Sequence, residues 1–138
     1  MKSFVLDTGP LVALLDKRDA HHAWAVAAMK TVTAPLLTCD AVLTESLYLL
    51  GSHPGPRRQL REWLSAGRIR VAYVSSNDGP LILQLMDRYA SVPMSFADAC
   101  VVQMSEILPG STVFTTDSDF RIYRRHKRQV IPILAPPP

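Results

Sequence analysis

Four carboxylates stand at positions from which they could act together. Asp7 ends the apolar run Phe4–Leu6 and opens the turn Asp7-Thr8-Gly9-Pro10, while Asp117 follows the β-branched run Thr112–Thr116, with Asp119 two residues on. Ligands of open α/β sheets gather at the carboxyl ends of the strands, so both positions suit a site. Each also has a local use: Asp7 or Thr8 would cap a helix begun by Pro10, and Asp117 would open a turn. Glu45 lies among Val42, Leu43, Leu47, Leu49 and Leu50, where a carboxylate either follows a polar seam or is aimed into a site. Asp98 completes Ser95-Phe96-Ala97-Asp98, the spacing of a capping box with Asp in place of the usual Glu or Gln. The Ala99-Cys100-Val101-Val102 run after it predicts packed, partly desolvated surroundings. Glu45 and Asp98 both sit near helix N-termini, where the dipole favours an ionised carboxylate.

Converging like charges in a partly buried pocket would raise one another's pKa and destabilise the fold. A divalent cation removes that cost. A pocket of carboxylates alone, without His or Cys, selects the hard cations Mg²⁺ or Mn²⁺ over zinc. Such ions bind water and bridge phosphate oxygens, the arrangement of metal-assisted phosphodiester cleavage. No Ser–His or Cys–His arrangement for a nucleophile is visible, and the His21-His22 pair lacks partners for a metal and reads as exposed or capping.

The elements that must hold these acids alternate regularly. Strands are predicted at Lys2–Leu6, Pro35–Cys39, Arg68–Val74, Thr112–Thr116 and Val130–Leu134. Between them the periodicity predicts helices after Pro10, over Asp19–Lys30, and over Asp40–Leu50 with Gly51 as its stop. Further helices are predicted over Pro56–Ala66, from the Ser76-Asn77-Asp78 cap to Tyr89, and over Ser95–Ile107. The pattern describes one α/β domain over residues 1–138, with a mainly parallel sheet, helices on both faces and a Pro136–Pro138 tail. There is no internal repeat or linker.

Composition is consistent with this. A length of 138 residues with 48% hydrophobic and 20% charged residues excludes a disordered or collagen-like chain. No apolar run approaches the roughly 18–20 residues that span a bilayer, and Asp7 interrupts the start before a signal-peptide core can form. Cys39 and Cys100 lie in apolar stretches and read as buried free thiols of a reducing compartment, so a cytoplasmic location is expected. Net charge is +3, yet ten of the 15 basic residues fall in two segments. Arg57, Arg58, Arg61, Arg68 and Arg70 form one. Arg121, Arg124, Arg125, Lys127 and Arg128 form the other, directly after Asp117–Phe120, and read as a phosphate-binding surface or else a solvated loop. Trp24 and Trp63 lie on helix faces suited to core or interface rather than to base stacking, and Leu60, Trp63 and Leu64 form an apolar helix face for the core or a dimer contact.

Taken in order and spacing, FVLDTGPLVALLD, Glu45 within TESL, MSFADACVV and VFTTDSDF resemble the PIN-domain ribonucleases, and are most similar to the VapC-type toxins of toxin–antitoxin pairs. The likeness covers nearly the whole chain. It implies an acidic metal and catalytic site of Asp7, Glu45, Asp98 and Asp117, with Asp119 as a fifth acid and Thr115 or Thr116 as a supporting hydroxyl. It also implies a three-layer α/β/α sandwich with sheet order 3-2-1-4-5, placing strands one and four side by side. The expected activity is Mg²⁺- or Mn²⁺-dependent cleavage of RNA by a homodimer that a small antitoxin holds inactive. One departure is Ser95, where many relatives carry an acid; its hydroxyl can still cap the helix. A housekeeping RNA-processing nuclease and a non-catalytic RNA-binding module remain as alternatives. A phosphoacceptor receiver domain does not, because it wants adjacent acids near the start and a Lys where the last strand here ends in Ala135-Pro136. Setting the five site acids aside leaves 15 basic residues against seven acidic ones, a strongly basic remainder around an acidic pocket.

Overall fold

The computed structural model describes residues 2–138. Its strands are β1 (Ser3–Leu6), β2 (Leu36–Cys39), β3 (Ile69–Tyr73), β4 (Ser111–Phe114), β5 (Arg124–Arg125), β6 (Gln129–Val130) and β7 (Ile133–Leu134). Five of them form one sheet, ordered β3-β2-β1-β4-β7, with every neighbouring pair parallel. This is the expected order, with β7 as the fifth strand. β1 is central and fully apolar at Phe4, Val5 and Leu6, as a strand covered on both faces must be.

The helices are α1 (Thr8–Leu15), α2 (His22–Met29), α3 (Asp40–Leu50), α4 (Pro54–Ser65), α5 (Gly79–Arg88) and α6 (Phe96–Ile107). α1 packs on α2 and α3, while α6 lies against β1, β2 and β4 and carries α5. α6 buries Ala97, Ala99, Cys100, Val101, Val102 and Met104, which makes it the most deeply set helix. Cys39 and Cys100 are buried free thiols. Trp24 meets Phe114 edge-on at 5.6 Å, and Trp63 packs against the core, so neither is a free platform.

Local chemistry moved several boundaries. The helix expected from Asp19 begins at His22, because the Asp19 carboxylate accepts the His21 N–H (2.8 Å) and holds a turn there. His22 Nδ1 is engaged with the Ala13 carbonyl at 2.6 Å. A 3₁₀ turn, Ser75–Asn77, precedes α5. The segment Val130–Leu134 does not form one strand. Val130 pairs with Arg124 in an antiparallel hairpin, and Ile133 and Leu134 pair with β4. Pro132 separates them: it has no N–H to continue a ladder, and only its carbonyl serves the sheet, accepting the Val113 N–H at 2.8 Å. β3 is an edge strand whose Val71 is exposed beside Arg70, so its basic–apolar alternation does not bury one clean face. Among the described residues no helix is long and apolar enough to cross a membrane.

Candidate active site

The register of the two central strands sets Leu6 beside Phe114. The residues just beyond each strand, Asp7 and Thr115, therefore emerge together. The Asp7 N–H donates to the Phe114 carbonyl (3.0 Å). Thr115 Oγ1 then donates to Asp7 Oδ2 (2.7 Å) and accepts the Asp117 N–H (3.0 Å), so one buried hydroxyl ties the two acids to each other. Asp117 Oδ1 accepts the Asp119 N–H (2.9 Å) and caps the 3₁₀ turn Ser118–Arg121. Thr116 has a different part. A Cβ on Gly9 would run into Thr116 Oγ1, so any side chain at this close approach of α1 to the β4 turn forces Thr116 to shift.

Asp7 does not cap α1 with its side chain. It is 2% exposed, and its Oδ1 is buried without a hydrogen-bond partner. Burial pushes its pKa from 3.8 up to about 7; the charge of Asp98 adds to that, the Thr115 hydroxyl and the Thr8 backbone oppose it, and Asp117 raises it further. Asp98 is raised to about 6, first by burial and then by the charges of Asp117 and Glu45, against the stabilising Ser95 N–H. Asp98 and Asp117 thus act on Asp7, and Asp117 and Glu45 on Asp98, from beyond the ends of β1 and β4 and from α3 and α6. The capping box at Asp98 is also real: Ser95 Oγ accepts the Asp98 N–H and Asp98 Oδ2 accepts the Ser95 N–H, both at 3.0 Å. Ser95 therefore caps α6, as its type predicts. Among the described residues no three His, Cys, Asp or Glu side chains are drawn to metal-ligand spacing. The donor set nevertheless fits a hard divalent cation, since it is all carboxylate and presents a bare, buried Asp7 oxygen.

Tyr123 also belongs to this neighbourhood, although no local signal in the sequence announces it. It is fully buried, its hydroxyl donates to the Pro93 carbonyl (2.5 Å), and its ring meets Phe120 and Tyr89 edge-on at 5.1 Å each. Burial raises its pKa, as do the charges of Asp98, Asp117, Asp119 and Asp7, which places it beside the acids. Its spacing of three from Phe120 hints at packing, but nothing local points it toward the site.

The basic cluster after Asp117 divides into two kinds of residue. Arg124 Nη1 donates to the carbonyls of Arg121 (2.7 Å), Ile122 (3.1 Å) and Tyr123 (3.1 Å). Arg125 Nη1 donates to the Pro109 carbonyl (3.2 Å), and its Nε is buried. These two pin the hairpin. Arg121, Lys127 and Arg128 are exposed, and among the described residues the ion pairs are Arg18–Asp16 and His126–Glu106, which leave those three cations free. The other arginine group lies on α4 and around the edge strand β3, away from β4.

A parallel α/β sandwich with carboxylates gathered past its two adjacent central strands defines an acidic-pocket α/β domain. The chain belongs to the PIN domain family, whose model matches residues 4–125. Among solved structures it is similar to Mycobacterium tuberculosis VapC20, a toxin described as cleaving the sarcin–ricin loop. The TM-score is 0.78 at 22% identity, over 92% of this chain and 99% of that one, a likeness of fold. No curated protein matches the chain at a significant level.

Proposed function

We propose that the chain is an endoribonuclease that hydrolyses RNA phosphodiester bonds with Mg²⁺ or Mn²⁺, and that it is the toxin of a toxin–antitoxin pair. The observation that carries the reading is the buried Thr115 hydroxyl that ties Asp7 to Asp117 beside the unpartnered Asp7 Oδ1, with Asp98 close enough to raise the Asp7 pKa and Glu45 close enough to raise that of Asp98. Asp7, Glu45, Asp98 and Asp117 would hold the cation, which when bound supplies a water of lowered pKa and offsets charge on the phosphate. The chain's own residues do the rest. Thr115 fixes the Asp7 carboxylate by Oδ2 and leaves Oδ1 buried without a partner, and it sets the Asp117 backbone by the same oxygen. Ser95 fixes Asp98 through the helix cap. Asp119 adds a fifth negative charge. Arg121, Lys127 and Arg128 bind flanking phosphates, with Arg124 and Arg125 shaping the loop that presents them.

Family membership and the fold shared with a toxin support the toxin assignment. A small antitoxin that places a basic side chain among the acids would inhibit by neutralising the pocket, and the enzyme is proposed to work as a cytoplasmic homodimer. Buried free thiols support a reducing compartment. The decisive assay incubates purified protein with RNA and Mg²⁺, Mn²⁺ or EDTA beside Asp98→Asn. Cleavage that needs metal and disappears in the variant supports the enzyme, whereas equal background in every tube makes it a non-catalytic RNA-binding module. Growth arrest on expression, relieved by Asp7→Ala, separates a toxin from a housekeeping RNA-processing nuclease.

A further inference from the structure

Beside the acids lies a cavity of about 550 Å³ that metal-assisted hydrolysis does not itself require. It runs along the seam between α3 and the start of α6, and Glu45 forms part of its wall. That volume falls within the roughly 300–1,000 Å³ of sites that receive small organic groups. Two of its lining side chains are aromatic and open to solvent: Tyr48 is 84% exposed and Phe96 37%. Tyr48 follows Glu45 by three residues and Thr44 by four, so all three stand on one face of α3. Phe96 precedes Asp98 by two residues at the first turn of α6. Each aromatic is therefore held on the same helix as one of the site acids.

The polar part of the wall is chemically one-sided. Asp40, Thr44, Glu45 and Ser75 line the cavity with no lysine or arginine among them. Asp40 Oδ1 accepts the Ala41 N–H at 3.0 Å, which leaves its second oxygen unengaged by that bond. Such a wall repels phosphate. It suits a flat ring with a π-face for the aromatics and N–H donors on its edge for the carboxylates, which is the description of a nucleobase bearing an exocyclic amine. A phosphate at the acids would bring its neighbouring nucleoside to this cavity.

We propose that this cavity is a base subsite in which a single-stranded nucleotide flanking the scissile phosphate stacks on Tyr48 and Phe96, with Asp40 and Thr44 favouring an amino-bearing edge (adenine, cytosine or guanine) over uracil. The subsite would make cleavage depend on the base beside the cut. It rests on the ribonuclease reading and deepens it, so its test carries a readout that does not require cleavage.

The experiment uses the full chain and a short single-stranded RNA in two forms. One contains 2-aminopurine and is followed by fluorescence in EDTA. The other is cleaved with Mn²⁺, either intact or with an abasic residue at each position flanking the mapped cut. Wild-type protein should quench the 2-aminopurine, and Tyr48→Ala should lose that quenching while Tyr48→Trp retains it. In cleavage, Tyr48→Ala should lower kcat/KM roughly 5- to 160-fold, the range for loss of one stacked base. The abasic substrate should cost the wild type as much and cost Tyr48→Ala no more. Because Tyr48 is exposed, its truncation should leave the melting temperature unchanged. Quenching unaltered in Tyr48→Ala overturns the subsite, as does an abasic penalty equal in both proteins. A change of oligomeric state in Tyr48→Ala, read by light scattering, also overturns it and makes the face a contact between copies. Failure of the wild type to cleave any RNA while the Tyr48-dependent quenching persists retains the base site and removes the ribonuclease reading alone.

Discussion

Replacing Asp7 by asparagine should make the metal-free protein more stable at alkaline pH while abolishing cleavage. The Asp7 pKa rises from 3.8 to about 7 on folding, chiefly through burial. A carboxyl whose folded pKa is raised favours the folded state when protonated. Its contribution is fully present below about pH 4 and is lost as the pH climbs through about 7. At 1.36 kcal/mol per pH unit, the gap costs the ionised wild type about 4 kcal/mol at pH 8, and roughly 1.5 kcal/mol at pH 5. Asparagine keeps the shape and a carbonyl to accept the Thr115 hydroxyl, without the charge. Urea unfolding in EDTA at both pH values, for wild type and Asp7→Asn, reads the difference directly. The variant should gain on the order of 4 kcal/mol at pH 8 and less than half of that at pH 5. Asp98, raised to about 6, titrates in the same direction and should leave a smaller slope in the variant. Mn²⁺ at 100 times its Kd should restore about 2.7 kcal/mol to the wild type at pH 8 and little to the variant. An Asp7→Asn protein no more stable than wild type at pH 8, or equally stabilised at both pH values, would refute the electrostatic account of the pocket.

Thr115→Val removes the donor to Asp7 and the acceptor for the Asp117 N–H in an isosteric change. It should cost about 2–4 kcal/mol in urea unfolding and move the acid limb of the cleavage profile up by roughly one pH unit, because the lost bond is one that lowers the Asp7 pKa. Thr115→Ser should restore both. Gly9→Ala drives a methyl into Thr116; about 1–3 kcal/mol of destabilisation is expected by denaturant titration, with loss of activity as the turn carrying Asp117 shifts. The triple change of Arg121, Lys127 and Arg128 to alanine should raise KM and flatten its salt dependence, by a slope of roughly 0.7 for each phosphate no longer neutralised, with kcat little altered. Arg124→Ala should instead lower the melting temperature, since its guanidinium holds three carbonyls.

The sheet and the two central acids were legible because their signals are local. Apolar runs that end in Asp7-Thr8-Gly9 and Thr115-Thr116-Asp117 declare both a strand and its carboxyl end. The β5–β6 hairpin was hidden for the opposite reason. Its turn places His126 and Lys127 at φ 50° and 68° with no glycine to advertise it, and its strands read as a run of charge. Counting cations also could not say where a guanidinium goes, and Arg124 and Arg125 turn back onto backbone carbonyls. The exposed Tyr48 was masked by its leucine neighbours, since an apolar stretch does not say which of its side chains meet solvent, and only Leu50 among Leu47, Tyr48, Leu49 and Leu50 is buried. Tyr123 reaches the acids through tertiary packing alone.

For Asp98 and Asp117, the local structural duty and the proposed metal site do not compete for the same oxygen. One oxygen of each performs the local duty its position predicts, Asp98 Oδ2 in the helix cap and Asp117 Oδ1 in the turn. Asp7 is held in the same way, through Oδ2 by Thr115. A carboxylate has two oxygens, so fixing one restricts the direction of the other at no cost in ligand capacity. Three acids that repel one another would otherwise rotate apart into solvent, and ordering them would fall on the binding step. The caps meet that cost during folding, leaving the pocket partly desolvated and arranged before any ligand arrives. Ser95→Ala should therefore cost stability while sparing catalysis, because the backbone N–H that holds Asp98 Oδ2 survives the change. It removes the Oγ that accepts the Asp98 N–H, and the expected loss is about 1 kcal/mol in unfolding. Full kcat in a merely less stable protein would show that the backbone N–H sets the direction of Asp98, and a fall in kcat that a cation titration cannot reverse would show that it does not.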